Sequence, residues 1–449
     1  MSKQAENTGF HHALKVLPEL CIGCTHCMKA CPTEAIRVRD GLAEIFEDRC
    51  VDCGACYKAC PASAIIIEQD DFEKIFDYRA RVALLPSVLI GQFPSVIDAE
   101  TIFSSLIQLG FTHIFEIDSV AEIVQEGYNN FIAEYQGEKP VISTFCPAIV
   151  RLIQVKFPSL VENLLMVKPP SDIAAISYRN RLKASGYAEE EIGLFYITPC
   201  ASKIAAVKSP VGESGSPING VINMEYLYNR TMKLIHSNQV KSGKYETGNL
   251  TDGGILWSLT RGEIRHQKGR CLAIDGIANV THFLEDLEDA EESNIDFLEL
   301  RACDESCAGG VLISGNRFLT VERLIGRAKK LPAFDIRRRP APFDDEQFRL
   351  DQIKPRSMWK LTDDRGDALG MIAKQEELLK VLPGIDCAAC GSPTCRALAE
   401  DIVFGRADLS WCVFLQETYI KNGKISIDEA EEINAGIWGK DRKQRSLSK

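Results

Sequence analysis

The sequence predicts a multi-domain α/β protein with one small cysteine-rich module before the main domain and another after it. Three observations predict this. Near the N-terminus the spacing C-x2-C-x2-C-x3-C-P occurs twice, from Cys21 to Pro32 and from Cys50 to Pro61. From about residue 79 to 375, short apolar runs alternate with helix-like segments, the pattern of a sheet with helices packed on it. Beyond that, Cys387, Cys390, Cys395 and Cys412 form a C-x2-C-x4-C-x16-C set. The domain boundaries read from these shifts are 1–78, 79–375 and 376–420, with a polar tail over 421–449.

The 449 residues are enough for two to four domains. A net charge of −11 argues against nucleic acid or an anionic membrane surface as the main partner. No apolar run follows the polar N-terminus as a secretory signal requires. The longest such run, Val82 to Ile90, is broken by Pro86 and too short for a membrane span. Seventeen cysteines without an export signal point to a reducing, cytoplasmic setting in which thiolates hold metal.

The doubled spacing is the run that wraps a [4Fe–4S] cube in two-cluster ferredoxins, where the fourth cysteine of each run serves the other cube. One site is then Cys21, Cys24, Cys27 and Cys60, and the other Cys50, Cys53, Cys56 and Cys31. Disulfides or paired zinc sites are the alternatives. Eight cysteines in two copies of one spacing favour iron–sulfur, and with it electron transfer.

In the main domain, strands are expected at Val82–Leu89, Phe111–Ile117, Val141–Thr144, Leu194–Thr198, Leu272–Ile274 and Phe297–Leu300. Asp98 is placed to cap a helix running to Leu109, with Gly110 as its stop. Ile277, Val280, Phe283, Leu284 and Leu287 share one face of a further helix. Cys146, Cys200, Cys303 and Cys307 each follow a strand, where ligand sites of α/β folds lie. A lone cysteine is more often a buried structural thiol. Four of them are the number one further cube needs. Cys271 reads as a buried thiol, and His11-His12 as solvent-exposed.

The segments Thr144–Ala148 (TFCPA), Thr198–Lys203 (TPCASK) and Arg301–Gly310 (RACDESCAGG) resemble the three signature loops of the [FeFe]-hydrogenase catalytic domain. They stand in the family's order, and the resemblance covers about residues 79–375. It implies that Cys146, Cys200, Cys303 and Cys307 hold a cube, with Cys307 bridging to a di-iron unit that carries CO, cyanide and a dithiolate. It also implies that Lys203 pairs with a cyanide ligand, which fits the rule that a buried ammonium needs a compensating anion.

The departures are as specific as the matches. Phe145 stands where efficient members have a proton-relaying cysteine, and a phenyl ring has no proton to relay. Thr198 and Arg301 occupy positions where the family commonly has methionines, and Ala206 replaces a family glutamate. The glycines after Cys307 come one position early and the third is missing. An arginine at 301 is expected to bring a fixed positive charge beside the cofactor.

The C-terminal set resembles the small cluster domain of membrane-complex electron-transfer subunits and of sensory relatives of the [FeFe]-hydrogenases. Arg396 to Phe404 is expected to be the helix returning Cys412 to the cube. Zinc on the same four thiolates is the alternative. The count then closes at four [4Fe–4S] clusters and one di-iron subcluster, with Cys271 left over.

The leading reading is a sensory or regulatory [FeFe]-hydrogenase-like protein that binds H2 or turns it over slowly. It would exchange electrons with a ferredoxin or flavoprotein and signal through a separate protein. A second reading is a non-catalytic iron–sulfur electron-transfer or cluster-handling protein on the same fold. A third is an ordinary hydrogenase with another proton donor.

Overall fold

The structure, a computed structural model, describes residues 11–241, 250–289, 294–338, 347–356 and 365–440, together with 243, 245, 248 and 362. It divides into two compact units: Met1–Cys50, Gly54–Ile67 and Arg356–Lys449 form one, and Val51–Cys53 and Glu68–Pro355 the other.

In the first unit, β1 (Leu14–Val16), β2 (Ile36–Arg39), β3 (Leu42–Ile45) and β4 (Ile65–Ile67) make two antiparallel pairs, β1 with β4 and β2 with β3. Each cysteine run ends in a one-turn helix, His26–Ala30 or Ala55–Ala59, entered through a left-handed residue, Thr25 or Gly54. The C-terminal cysteine module is part of this same unit. Val38 N–H donates to the Gly391 carbonyl at 2.9 Å, and Gly41 N–H to that of Ile437 at 3.0 Å. Arg37, fully buried, donates to both oxygens of Asp401 at 2.6 and 3.2 Å. Arg39 Nη2 and Ser392 Oγ also donate to Asp401, at 2.9 and 2.8 Å, and Arg49 pairs with Glu400. Two buried carboxylates are thus held by three arginines, and loss of either side would strand a charge.

The expected polar tail is corrected over its first half. Ile427–Trp438 is a helix with a Ser426–Glu429 capping box, and Trp438 Nε1 donates to the Ala389 carbonyl at 3.1 Å. Ala430 and Ile437 give it an apolar side, a spacing of seven that a polar composition masks. Residues 441–449 lie outside the described residues. His12 is also corrected: it is 4% exposed, because it leads directly into β1.

The second unit holds two parallel sheets. β5 (Ala80–Leu85), β6 (His113–Glu116), β8 (Ile192–Thr198) and β9 (Gly220–Asn223) run in the order β6-β5-β8-β9. β7 (Val141–Ile142), β10 (Cys271–Asp275) and β11 (Phe297–Arg301) run in the order β10-β11-β7. The central strands β5 and β8 are apolar along nearly their whole length because helices cover both faces. β5 stops at Leu85, not Leu89: Pro86 ends it, and Ser87–Gln92 is helical. Asp98 caps the helix Ala99–Gln108 by accepting from Thr101 N–H at 2.7 Å. β9 was missed, being four residues that begin with glycine. Cys271 is half-buried, not buried, since β10 is the edge of its sheet.

Candidate iron–sulfur and cofactor site

Three strand ends build the centre of the second unit. After β7 the chain reaches Cys146, which caps the helix Pro147–Lys156 with Pro147 at its first position. After β8, Cys200 caps the helix Ala201–Lys208 and Lys203 sits in its first turn. After β11, Cys303 precedes a tight turn, with Glu305 at φ 62° and Ser306 at φ 51°, that delivers Cys307. The loops touch closely: Leu312 N–H donates to the Pro199 carbonyl at 2.9 Å. A Cβ at Gly309 would run into the Asp304 carbonyl, and one at Gly310 into that of Pro199. Two glycines therefore suffice, and their early position is what this packing requires.

These loops enclose a pocket of about 400 Å³ lined by Cys146, Cys200, Cys303 and Cys307, with Lys203, Arg301, Phe145 and Cys53 also on its wall. Burial pushes the Cys146 thiol up, and that of Cys200 up to about 11. Neighbouring thiols push both further up. Such thiols ionise only with a cation among them.

The first unit repeats the logic. Cys21, Cys24, Cys27 and Cys60 line one small pocket, so the fourth cysteine does cross between runs. Burial, with Cys24 and Cys21 beside it, pushes Cys27 up to about 12. In the other set, Cys50 and Cys56 are buried and Cys31 is half-buried within the first unit, while Cys53 belongs to the second. At the C-terminal end Cys390, Cys395 and Cys412 gather around Leu382, Leu398 and Ala399, with Cys387 exposed. Burial pushes Cys390 up to about 11. The helix Cys395–Val403 is where the sequence placed it, capped by Thr394.

Zinc–thiolate bonds of about 2.3 Å put tetrahedral sulfurs about 3.8 Å apart. Among the described residues, no three cysteine sulfurs all lie within 4.8 Å of one another. Among these cysteines, then, no set has three thiols drawn together at the spacing of one tetrahedral zinc.

A second cavity, about 780 Å³, shares Phe145 and Lys203 with the four-cysteine pocket. Its walls are mostly apolar, from Pro147, Val150, Pro169, Pro170, Val207 and Ile353. Lys203 Nζ lies 3.1 Å from Tyr196 Oη, 3.6 Å from Cys307 Sγ and 4.7 Å from the Phe145 ring centre. Among the described residues no carboxylate oxygen lies within 4 Å of it. Burial alone would lower this ammonium, but the field of Cys307, Tyr196 and Cys200 holds it well above its ordinary value.

Arg301, expected from the sequence to bring a fixed positive charge, has its own buried counter-charges. It is 2% exposed, its guanidinium stacks 3.6 Å over the Phe145 ring, and it pairs with Glu263 at 3.0 Å and Glu299 at 3.5 Å. Glu263 also accepts from Tyr128 Oη and Ser143 Oγ, both at 2.7 Å. Glu299 accepts from the backbone of Arg261 and Glu263, each at 2.9 Å. Burial pushes Glu263 up, with Arg301 opposing it. Sequence reasoning missed this network, although charged Glu299 and Arg301 inside a strand buried at every position were its visible signal. Thr198 turns to its own loop, donating to the Cys200 carbonyl at 3.0 Å.

Comparison with known proteins agrees with the geometry. The family described as iron only hydrogenase large subunit, C-terminal domain, matches residues 82–252. A 4Fe-4S dicluster domain matches 13–61, and a putative Fe-S cluster domain 382–414. Iron hydrogenase 1 of Clostridium pasteurianum is 24% identical over 46% of this chain and 44% of its own length. The NADP-reducing hydrogenase subunit HndD of Solidesulfovibrio fructosivorans is 23% identical over 44% of this chain and 33% of its own. The chain thus spans less than half the length of these curated relatives. Among solved structures, the [FeFe]-hydrogenase HydA1 of Chlamydomonas reinhardtii, in variant form, aligns with a TM-score of 0.46 and 14% identity, covering 62% of this chain and 94% of that one. Among the described residues no helix is long and apolar enough to cross a membrane. With a hydrogenase large-subunit-like domain set among iron–sulfur modules, the chain is an [FeFe]-hydrogenase-like iron–sulfur protein.

Proposed function

We propose that the chain carries four [4Fe–4S] clusters and a di-iron subcluster, and that it binds H2 or turns it over slowly in a sensory or regulatory role. The observation that carries this reading is Lys203. A half-buried ammonium on the wall of a large, mostly apolar cavity, with no carboxylate within 4 Å among the described residues, is placed to pair with an anionic group bound there. A cyanide-bearing metal unit held at Cys307 would supply that anion, and the four cysteines lining one pocket suit a cube. When bound, the di-iron unit supplies the metal that polarises H2 and a base that takes its proton.

The residues of the chain do the rest. Cys146, Cys200, Cys303 and Cys307 hold the cube, and Lys203 orients the anionic ligand and balances its charge. Phe145, clasped between Lys203 and Arg301, seals the pocket against water and offers no proton. Proton delivery by that position is therefore closed, which suits slow turnover. The twelve other ligand cysteines carry electrons to a ferredoxin or flavoprotein partner, in a cytoplasmic setting, and a separate protein reads the signal.

The Arg301–Phe145 stack favours a second reading, a cubane-only electron carrier whose pocket is walled off. Exposure of anaerobically matured protein to H2 separates the two. Slow growth of reduced-cluster signals in electron paramagnetic resonance is the expected result. Clusters that dithionite reduces but H2 never does would leave the electron carrier.

A further inference from the structure

We propose that Asp172 is the proton-exchanging acid of the large cavity, taking over from its wall the task that Phe145 cannot perform. The inference rests on the hydrogenase reading above. Asp172 and Lys203 line the same cavity, which also holds Phe145, Tyr196, Ser171 and Glu213. The carboxyl belongs to a residue 8% exposed, in the first turn of the helix Pro170–Ala184. Its hydrogen-bond partner is the Ser171 hydroxyl, which donates to Oδ1 at 3.1 Å. Among the described residues no cationic nitrogen lies within 4 Å of it.

The charged groups around Asp172 leave it able to gain and lose a proton. Lys168 is the cation whose field acts on it, and Lys168 is itself paired with Glu213 and under the field of Asp351. Lys203 shares the cavity but has Tyr196 and Cys307 as its contacts. Burial pushes the Asp172 carboxyl up to about 6, with the Ser171 hydrogen bond and Lys168 restraining it. An acid in that range works in both directions near neutral pH.

The other buried acids are committed elsewhere. Asp118 accepts from Ser87 N–H at 2.6 Å and is not on the cavity wall. Glu263 is held by Tyr128, Ser143 and Arg301, and Glu299 by three backbone N–H groups and Arg301. Solvent is reached beside Glu213, where Ser214 and Gly215 are exposed.

The balance is simple. Oxidation of one H2 sends two electrons to the clusters and releases two protons. Each proton adds to the Asp172 carboxylate, and the resulting acid gives it to water at the cavity mouth. In the reverse direction the same acid donates inward.

The test uses the full chain with Asp172→Asn, which keeps size and loses the proton, and Asp172→Glu. First, protein carrying cubanes alone is titrated in difference infrared spectroscopy. A protonated-carboxyl stretch lost near pH 6 in wild type and missing from Asp172→Asn is expected. Second, matured protein is assayed for H2-driven exchange of deuterium with water. A fall of about 10²-fold in Asp172→Asn, with metal-bound CO and cyanide bands unchanged and activity recovered in Asp172→Glu, is expected. Asp172→Asn at the wild-type rate, or the titrating band surviving in it, overturns the relay. Wild-type matured protein without those bands overturns the hydrogenase reading itself, and is recognised before any variant is scored.

Discussion

The two four-cysteine pockets, one in each unit, are built on opposite plans. The pocket of Cys21, Cys24, Cys27 and Cys60 is lined by small neutral residues, among them Gly23, Val38, Ala43, Ala62 and Ala64. That of Cys146, Cys200, Cys303 and Cys307 has Lys203, half-buried, and Arg301, buried, in its wall. The first environment suits a cluster that only passes electrons, because apolar walls and low dielectric set one potential and nothing more. The second places two cations beside its four thiols, which suits the anionic unit proposed above. The contrast teaches that two sets of four cysteines can differ chiefly in the charge placed around them.

The largest expected break in that contrast is loss of a ligand. Cys200→Ala should remove one cube's iron and its resonance signal while the ferredoxin-type signals persist, and Cys21→Ala should do the converse. Iron analysis with electron paramagnetic resonance reads both. Equal loss of all signals in either variant would show that the pockets do not load independently.

Next in size is the arginine network. Arg301→Met leaves Glu263 and Glu299 buried without their cation, and should destabilise the second unit by about 3–5 kcal/mol in urea unfolding. Adding Glu263→Gln should recover a large part of that loss, whereas two additive losses would mean the pair is not coupled. In the first unit, Arg37→Ala should have a similar effect by stranding Asp401, and should loosen the C-terminal cysteine module from the strand pair β2–β3.

The pH dependence of stability offers a smaller effect with a definite sign. Asp172 holds its proton more tightly folded, near 6, than at its ordinary 3.8. Its contribution is therefore full below about pH 4 and is lost as the pH rises through 6, up to about 3 kcal/mol. Wild type should lose stability across that window relative to Asp172→Asn, in paired thermal melts. Parallel curves would remove the claim that this acid is buried in its neutral form.

Smallest, and most diagnostic, is Lys203→Met. Removing one positive charge beside Cys307 should lower the potential of that cube by roughly 60 mV, a factor of ten in a one-electron equilibrium, and leave the ferredoxin-type cubes where they were. A uniform shift of all clusters would mean that Lys203 acts through the fold and not through its charge.

What the sequence made legible followed from local rules. The cysteine runs encode their pockets in spacing alone, and the strand ends announced Cys146, Cys200 and Cys307 through apolar runs stopped by proline or glycine. Asp98 could be read as a cap because a cap needs only its own first turn. What stayed hidden is carried by long-range pairing. Arg37 and Asp401 are 364 residues apart, and neither looks unusual in its own segment. Likewise Glu263 meets Arg301 only because β11 lies next to the turn that follows Trp257. The substitution of Arg301 for a family methionine was visible, but its counter-charges Glu263 and Glu299 were not. Edge position misled the reading of Cys271, since an apolar strand at a sheet edge keeps one side open.

The central claim, that Lys203 and the cavity serve an anionic di-iron unit, is tested most directly by infrared spectroscopy of protein matured and purified without oxygen. Metal-bound CO and cyanide bands that shift under H2, and that disappear in Lys203→Met while its cubane iron is unchanged, are the predicted result. Silence in that region from fully cubane-loaded protein, beside a hydrogenase matured in parallel that shows its bands, would contradict the account and leave an electron carrier.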